Sequence, residues 1–506
     1  MYKKHAALLS TIFLLCLVEF LQVGMVTFAS APIRGEIDAS PEEYSFVAAV
    51  YACLAVVVIA KQHWLIERLG WRHYVLGSIA VHILGSLICS MSSDLTTFTL
   101  GRVVMALGGA AFMSTARVLV QHMPAGPGRF VGVKVFATGL AGGSAAAPLL
   151  ASIAVSEDTW QAMFWVLISA TSLTAVLAFR CLPKDPHPEE EWSRSSPARI
   201  LLLGLASFFL LYVLQRSYYD FYNDTDILLG FVGLAAFAFY TYFHAEHRHE
   251  TPLLKVRELW KPRFVLGISL FSFSYIILGA NNYILPTFLQ AGLGYSWETI
   301  GHFQSLGLAG AVVTWLIMLR VLPRYPSPKK FYVLGFLGLG MYGWLLSSVT
   351  PEANLWEHVL PALLLNGSFT MLVLATTAMQ GFRDVMHEDK LFSHALQVKN
   401  MLREIASALG TCVATLLIQW RSTVQYNSLN VRLTQGDPVF SAQQQHLTQY
   451  LSLVHEGGVA AKMAMTQLGQ QISQQASLLA SIEYFWVVIW VACLSLAFML
   501  WQQVFR

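Results

Sequence analysis

Apolar runs recur from one end of the chain to the other, separated by short polar turns. Each is about 20 residues long, enough to cross a bilayer as one helix. The pattern predicts fourteen spans, at roughly 7–31, 42–61, 73–92, 97–121, 130–154, 160–181, 199–216, 226–244, 264–290, 297–320, 330–349, 356–380, 393–419 and 478–504. Lys and Arg placement tests the count, because cytoplasmic loops collect positive charge. With the N-terminus inside, Lys3 and Lys4 precede span one, and Lys61, Arg68 and Arg72 join spans two and three. Arg129 lies between spans four and five, and Arg180, Lys184, Arg194 and Arg199 follow span six. Arg248, Lys255, Arg257, Lys261 and Arg263 follow span eight, and Arg320, Arg324, Lys329 and Lys330 follow span ten. Arg383 and Lys390 follow span twelve. The opposite loops hold only Arg34, Arg216, Arg421, Arg432 and Lys462. Both termini are therefore expected in the cytoplasm.

Two connections depart from the short-loop pattern. Residues 183–198 are polar and Pro-rich, which reads as a cytoplasmic linker after six spans. Residues 421–477 form one long external segment, Gln-rich, with Leu429, Leu433, Leu447, Leu451 and Val454 at helical intervals. That segment is expected to be partly helical and folded against the membrane surface, with a disordered spacer as the alternative.

Composition agrees with the class. The 506-residue chain is 56% hydrophobic and 12% charged, whereas a soluble domain has about 25% charged residues. A membrane β-barrel would show short alternating segments instead. A net charge of +3 without a basic, aromatic-interleaved cluster argues against a nucleic-acid partner. The six cysteines form no CxxC pair, so no metal site is indicated, and no nucleophile–base constellation suggests an enzyme. No cofactor is expected.

Charges inside the spans carry the candidate chemistry. Span four holds Arg102, followed by small residues at Ala106, Gly108, Gly109, Ala110 and Ala111. A charge in lipid is costly unless paired or wet, and the small residues leave a notch for another helix. Arg102 either faces a packed, partly hydrated interior or snorkels to the interface. Glu19 lies at the middle of span one, with Gln22 one turn away on the same face. A lone carboxyl at mid-bilayer is expected to bind and release a proton, unless a neighbouring polar group locks it. Asn281 and Asn282 in span nine and Asn366 in span twelve are mid-membrane amides that either contact a substrate or tie helices together. His82 and His302 are lone histidines, read as satisfied by neighbours. Arg403 and Glu404, with Lys399, are placed at the cytoplasmic end of span thirteen, as a gate or interface network.

Between spans two and three runs KQHWLIERLGWRHYVLG, in which Glu67, Arg68, Gly70 and Arg72 could clip helix ends together around a tight turn. This loop resembles the signature loop of the major facilitator superfamily, G-x-L-a-D-R-x-G-R-R/K, through Leu65, Arg68, Gly70 and Arg72, with Glu67 for the Asp and His63 for the leading Gly. Span four is similar to that family's R-x-x-Q-G-x-G through Arg102 and Gly108, with Met105 and Ala106 in place of the Gln and first Gly. Span five resembles the antiporter pattern G-x-x-x-G-P-x-x-G-G through Gly139, Gly143 and Pro148, with Ala147 before the Pro and Ala151–Ser152 closing it. LPTFLQAGLGYS in span nine and NMLREIASALGTCVA in span thirteen resemble patterns of fourteen-helix drug:proton antiporters of the EmrB/QacA type.

The resemblance implies an all-α polytopic membrane protein of the major facilitator fold. Two six-helix bundles (1–182 and 263–506) would flank two extra spans and a basic loop (199–262). It implies proton-coupled export of small, largely hydrophobic molecules by alternating access, in a bacterial inner membrane. Glu19 would carry the proton. Gln22, Arg102, Asn281, Asn282 and Asn366 would meet substrate, and Glu67, Arg68, Gly70, Arg72, Pro148, Arg403 and Glu404 would gate. A dedicated metabolite or siderophore exporter, or a proton symporter, is the alternative; a non-transporting receptor is a third. The partners implied are the bilayer, protons, a small-molecule substrate, and a periplasmic adaptor with an outer-membrane channel.

Overall fold

The computed structural model describes residues 2–121, 123, 127–157, 159–182, 196–249, 252–322, 324, 327–432, 438–453 and 457–505. Most of the linker at 183–198 lies outside the described residues. Every predicted span falls on a helix. α1 (Tyr2–Phe28) is followed by a short α2 (Ser30–Glu36) and a long α3 (Pro41–Ser90). Ser40 starts α3 with a reciprocal cap: its hydroxyl accepts from Glu43 N, and its own N–H donates to the Glu43 carboxylate at 2.9 Å. Fifty residues would make a rod of about 75 Å, far beyond one bilayer. Gly70 divides it with φ 73° and ψ 161°, a conformation that a β-carbon would strain, so α3 carries spans two and three.

Span four is two helices, α4 (Leu95–Gly109) and α5 (Phe112–Gln121), separated at Ala110–Ala111. Asp94 caps α4 by accepting from Thr97 N at 2.9 Å, and those bonds hold its carboxyl below the usual range. Spans five to eight are α6 (Pro127–Ser156), α7 (Ala162–Cys181), α8 (Pro197–Asp220) and α9 (Thr225–His247). Spans nine to twelve are α10 (Pro262–Thr287), extended by a π-helical turn to Gly292, α11 (Trp297–Val321), α12 (Pro328–Ser347) and α13 (Leu360–Gln380). Then come α14 (Asp389–Arg432), α15 (Pro438–Leu451) and α16 (Gly457–Trp501). Among the described residues twelve helices are long and apolar enough to cross a membrane; α3 counts once there, and the glycine-rich α12 is not among them.

Residues 421–477 are largely helical among the described ones, and two long helices supply most of them. α14 and α16 run 44 and 45 residues, about 66 Å each and roughly twice the hydrocarbon thickness. Thr411–Arg432 contains neither Pro nor Gly, so nothing stops the helix at the span's end. Arg421 clamps the two helices by ion-pairing with Glu483, which also accepts from Gln425 at 2.8 Å. α15 packs along α16. Residues 433–437 and 454–456 of this segment are outside the described ones.

Helices in lipid gain little from hydrophobic burial against each other, so close packing and polar ties decide their arrangement. α8 and α9 pack together, joined by Arg199 and Glu246 at 3.0 Å. α8 also lies against α3 and α14, through Val56, Ile59, Leu203 and Leu211. The first and last groups of helices touch at both ends. Gln397 on α14 donates to the carbonyls of Ile59 and Ala60 at 2.9 and 3.1 Å. At the other end Phe28 meets Trp297 edge-on at 5.5 Å.

Candidate functional site: a buried ion network between α1 and α14

The break in span four has a chemical consequence. Helix starts leave N–H groups without an intrahelical partner. Near the start of α5, the Met113 N–H donates to Glu19 Oε2 on α1. The dipole of α5 favours that negative charge. The other carboxylate oxygen, Glu19 Oε1, lies 2.6 Å from Arg403 Nη2 on α14. The same nitrogen lies 2.5 Å from Glu404 Oε1, and Arg403 Nε reaches that oxygen at 3.1 Å. Glu19 is 2% exposed and Arg403 7%. Two carboxylates thus share one buried guanidinium, and the pair joins helices 384 residues apart.

Two sequence expectations change here. Glu19 is not isolated; it is paired. Arg403 and Glu404 do not sit at the end of their helix. Arg403 is fourteen residues into α14 and level with mid-span Glu19, because the helix begins at Asp389.

A neutral hydrogen-bonded chain lies beside the ions. Gln22 Oε1 is 2.7 Å from His82 Nε2, and Gln22 Nε2 donates to the Tyr51 hydroxyl at 3.0 Å. An amide oxygen only accepts, so His82 carries its proton on Nε2 and presents Nδ1 to Thr171 Oγ1 at 3.4 Å. Gly108 makes this approach possible: a β-carbon there would lie 2.4 Å from His82 N. The Arg102 guanidinium stacks over the Tyr51 ring at 4.0 Å and has no ion-pair partner among the described residues. At 7% exposure it is buried in protein, not snorkelling.

The amides separate. Adjacent helix positions point about 100° apart and do not share a face. Asn281 donates to Asn366 Oδ1 at 2.9 Å and accepts from the Tyr484 hydroxyl at 2.6 Å, tying α10, α13 and α16 together. Asn282 is exposed. His302 instead meets the Glu298 carbonyl at 2.8 Å. In the α3 turn, Glu67 is 3.0 Å from His63, Arg68 stacks on Trp64 at 4.5 Å, and Arg72 covers Phe179 at 3.8 Å. Pro148 lies inside α6 where α11 packs; a β-carbon on Gly301 would come within 2.8 Å of its carbonyl. Sequence reasoning missed Tyr51, Tyr484 and the Gln62–Ser114–Thr115 cluster, in which Gln62 donates to Thr115 at 2.8 Å.

The pattern for the Major Facilitator Superfamily matches residues 12–411. The chain belongs to that superfamily. It is a multi-span membrane transporter acting on small molecules within a lipid bilayer. Among curated relatives, the uncharacterised MFS-type transporter YhcA of Bacillus subtilis is 22% identical over 91% of this chain and 85% of its own length. The putative multidrug resistance protein MdtD of Salmonella typhimurium is 25% identical over 79% of this chain and 84% of its own. Two solved structures share the fold. One is a bacterial homologue of the human lysosomal transporter Spinster, inward-facing and unoccupied (TM-score 0.57, 12% identity, 98% of this chain and 97% of that one). The other is the human organic anion transporter MFSD10 (TM-score 0.55, 13% identity, 96% and 99%).

Proposed function

We propose that this superfamily member is a proton-coupled secondary transporter of the fourteen-helix drug:proton antiporter kind, exporting small, largely hydrophobic molecules across a bacterial inner membrane. The observation that carries the reading is the buried pair of Glu19 and Arg403, with Glu404 competing for the same guanidinium. In the proposed partition, α1 belongs to one six-helix bundle, α14 to the other, and α8–α9 form the extra pair. The Glu19–Arg403 bond is then a strap between bundles. A proton on Glu19 cancels its charge, and Arg403 keeps Glu404. The strap loosens, and the bundles can rock about the midplane. The MdtD relatives, named as putative multidrug resistance proteins, support export. The test is substrate flux in vesicles with and without an imposed pH gradient. Net movement that ignores the gradient overturns the coupling.

A second reading, co-transport of solute and proton, is favoured by one observation. Among the described residues six buried cations (Arg72, Arg102, Arg117, Arg199, Lys399, Arg403) face three buried acids (Glu19, Glu67, Glu246). That surplus suits an anion travelling with the proton.

The proposal fixes a topology. Both termini are cytoplasmic, and α15 is outside. Ala442→Cys on α15, in a background without the six native cysteines, should react with an impermeant maleimide in intact cells. Labelling only after lysis would mean that the span count is wrong by an odd number.

Arg102 is proposed to position the Tyr51–Gln22–His82 chain. Arg102→Ala should lower transport several-fold while lowering folded yield much less, since a stacked cation is worth about 0.5–2 kcal/mol. Arg102→Lys should recover part of the transport. Normal transport by both variants would leave Arg102 without a role.

A further inference from the structure

One half of the interface between α5 and α14 holds polar groups that nothing among the described residues satisfies. Arg117 on α5 is 8% exposed, and its buried Nη1 has no hydrogen-bond partner. It makes no ion pair among the described residues, and the rings of Phe392 at 5.4 Å and Phe136 at 6.0 Å lie beside it. One turn on, Gln121 is 7% exposed, and neither end of its side-chain amide is bonded among the described residues. Residues i and i+4 share a helix face, so the three orphan atoms point the same way. Opposite stands Lys399 on α14, 6% exposed, with its ammonium 4.9 Å over the Phe271 ring. The positive charges of Arg117 and Arg403 both act on it. Buried like charges and orphan donors are each costly, and native structures retain them where something else completes them.

We infer that this cluster of unsatisfied polar groups takes an amphipathic organic carboxylate. Its headgroup is held by Arg117, Lys399 and the Gln121 amide, and its apolar body by Phe136, Phe271 and Phe392. The planar Arg117 fork suits a carboxylate's two oxygens, and the rings beside Arg117 and Lys399 suit a flat hydrocarbon. A cationic solute would add a further positive charge to a site that already has an excess. The inference rests on the co-transport reading of the site, not on antiport, and sharpens its substrate class. It also bears on coupling. Lys399 interacts electrostatically with Glu19 as well as with Arg117. A bound carboxylate therefore lowers the cost of a proton on Glu19, so anion and proton bind together instead of displacing one another.

Binding to the purified full-length protein tests this without reading flux. The probes are three naphthalenes of similar shape: 2-naphthoate, 2-naphthamide and 2-naphthyltrimethylammonium. At fixed ionic strength, naphthoate should bind at least about tenfold more tightly than the amide, and the ammonium least. Arg117→Gln and Lys399→Gln should each erode that preference, and the double variant should abolish it. Arg117→Lys should keep part of it. Unliganded melting and elution profiles establish that each variant is folded, and a variant that fails to fold is replaced by its Lys or Arg counterpart. Equal affinity for acid and amide, preference for the ammonium, a preference that survives the double substitution, or no naphthoate binding up to about 1 mM each overturns the inference. Carboxylate preference without flux of any solute would overturn the transport reading and leave the anion site standing.

Discussion

Arg403→Ala should abolish coupled transport and strongly destabilise the protein. The guanidinium is 7% exposed and is the ion-pair partner shown for both Glu19 and Glu404. Without it, Glu19 keeps one backbone donor, Met113 N–H, for a carboxylate that is 2% exposed. Removing one partner of a buried pair typically costs about 3–5 kcal/mol, because a charge is left uncompensated. That is a large share of the roughly 5–15 kcal/mol that holds a domain together. The loss should appear as reduced folded yield and earlier thermal unfolding in detergent. Glu19→Gln combined with Arg403→Gln removes both charges and should recover most of the yield without restoring transport. Arg403→Lys keeps the charge but reaches fewer oxygens, so it should fall between. Wild-type melting and transport in Arg403→Ala would mean that the pair neither holds the bundles nor couples them.

The helices were legible because lipid demands long apolar runs and short polar turns, and the basic residues marked one side. Gly70 was legible as a turn because few other residues tolerate its φ. The break at Ala110–Ala111 was not. Gly108 and Gly109 weaken the helix just before it, but they were read only as room for a neighbouring helix, and alanine itself is the best helix former. The break instead gives the start of α5 to a carboxylate from α1, which is a tertiary arrangement. The helical character of residues 421–477 was legible from the Leu intervals, but not that an unbroken run without Pro or Gly continues α14 to Arg432.

Of the site, Glu19 and Gln22 were legible as neighbours on one face, and Arg102 as a buried charge. The Glu19–Arg403 pairing was not read, since its partners are 384 positions apart. A signal did exist. Lys399, Arg403 and Glu404 interrupt an apolar span, and a mid-bilayer acid requires a partner. Matching those two demands would have pointed to the bond. Asn281 and Asn282 were read as a pair although adjacent helical residues diverge, and only Asn281 joins the amide chain.

Glu19→Gln should insert and fold normally, yet lose pH-driven accumulation of substrate. Glutamine matches the protonated acid in shape, its oxygen can still accept from Met113 N–H, and Arg403 retains Glu404 as its counter-charge. What disappears is titration. Without a proton to take up and release, the strap between α1 and α14 has one setting, and a pH gradient has nothing to act on there. Downhill movement of substrate should persist at a reduced rate, so the defect separates coupling from passage. Glu19→Asp keeps a titrating carboxyl on a shorter arm and should retain part of the accumulation. The measurement is accumulation in vesicles with an imposed pH gradient, beside downhill flux without one. Full pH-driven transport by Glu19→Gln would place coupling elsewhere, with Glu404 next because it shares the Arg403 guanidinium.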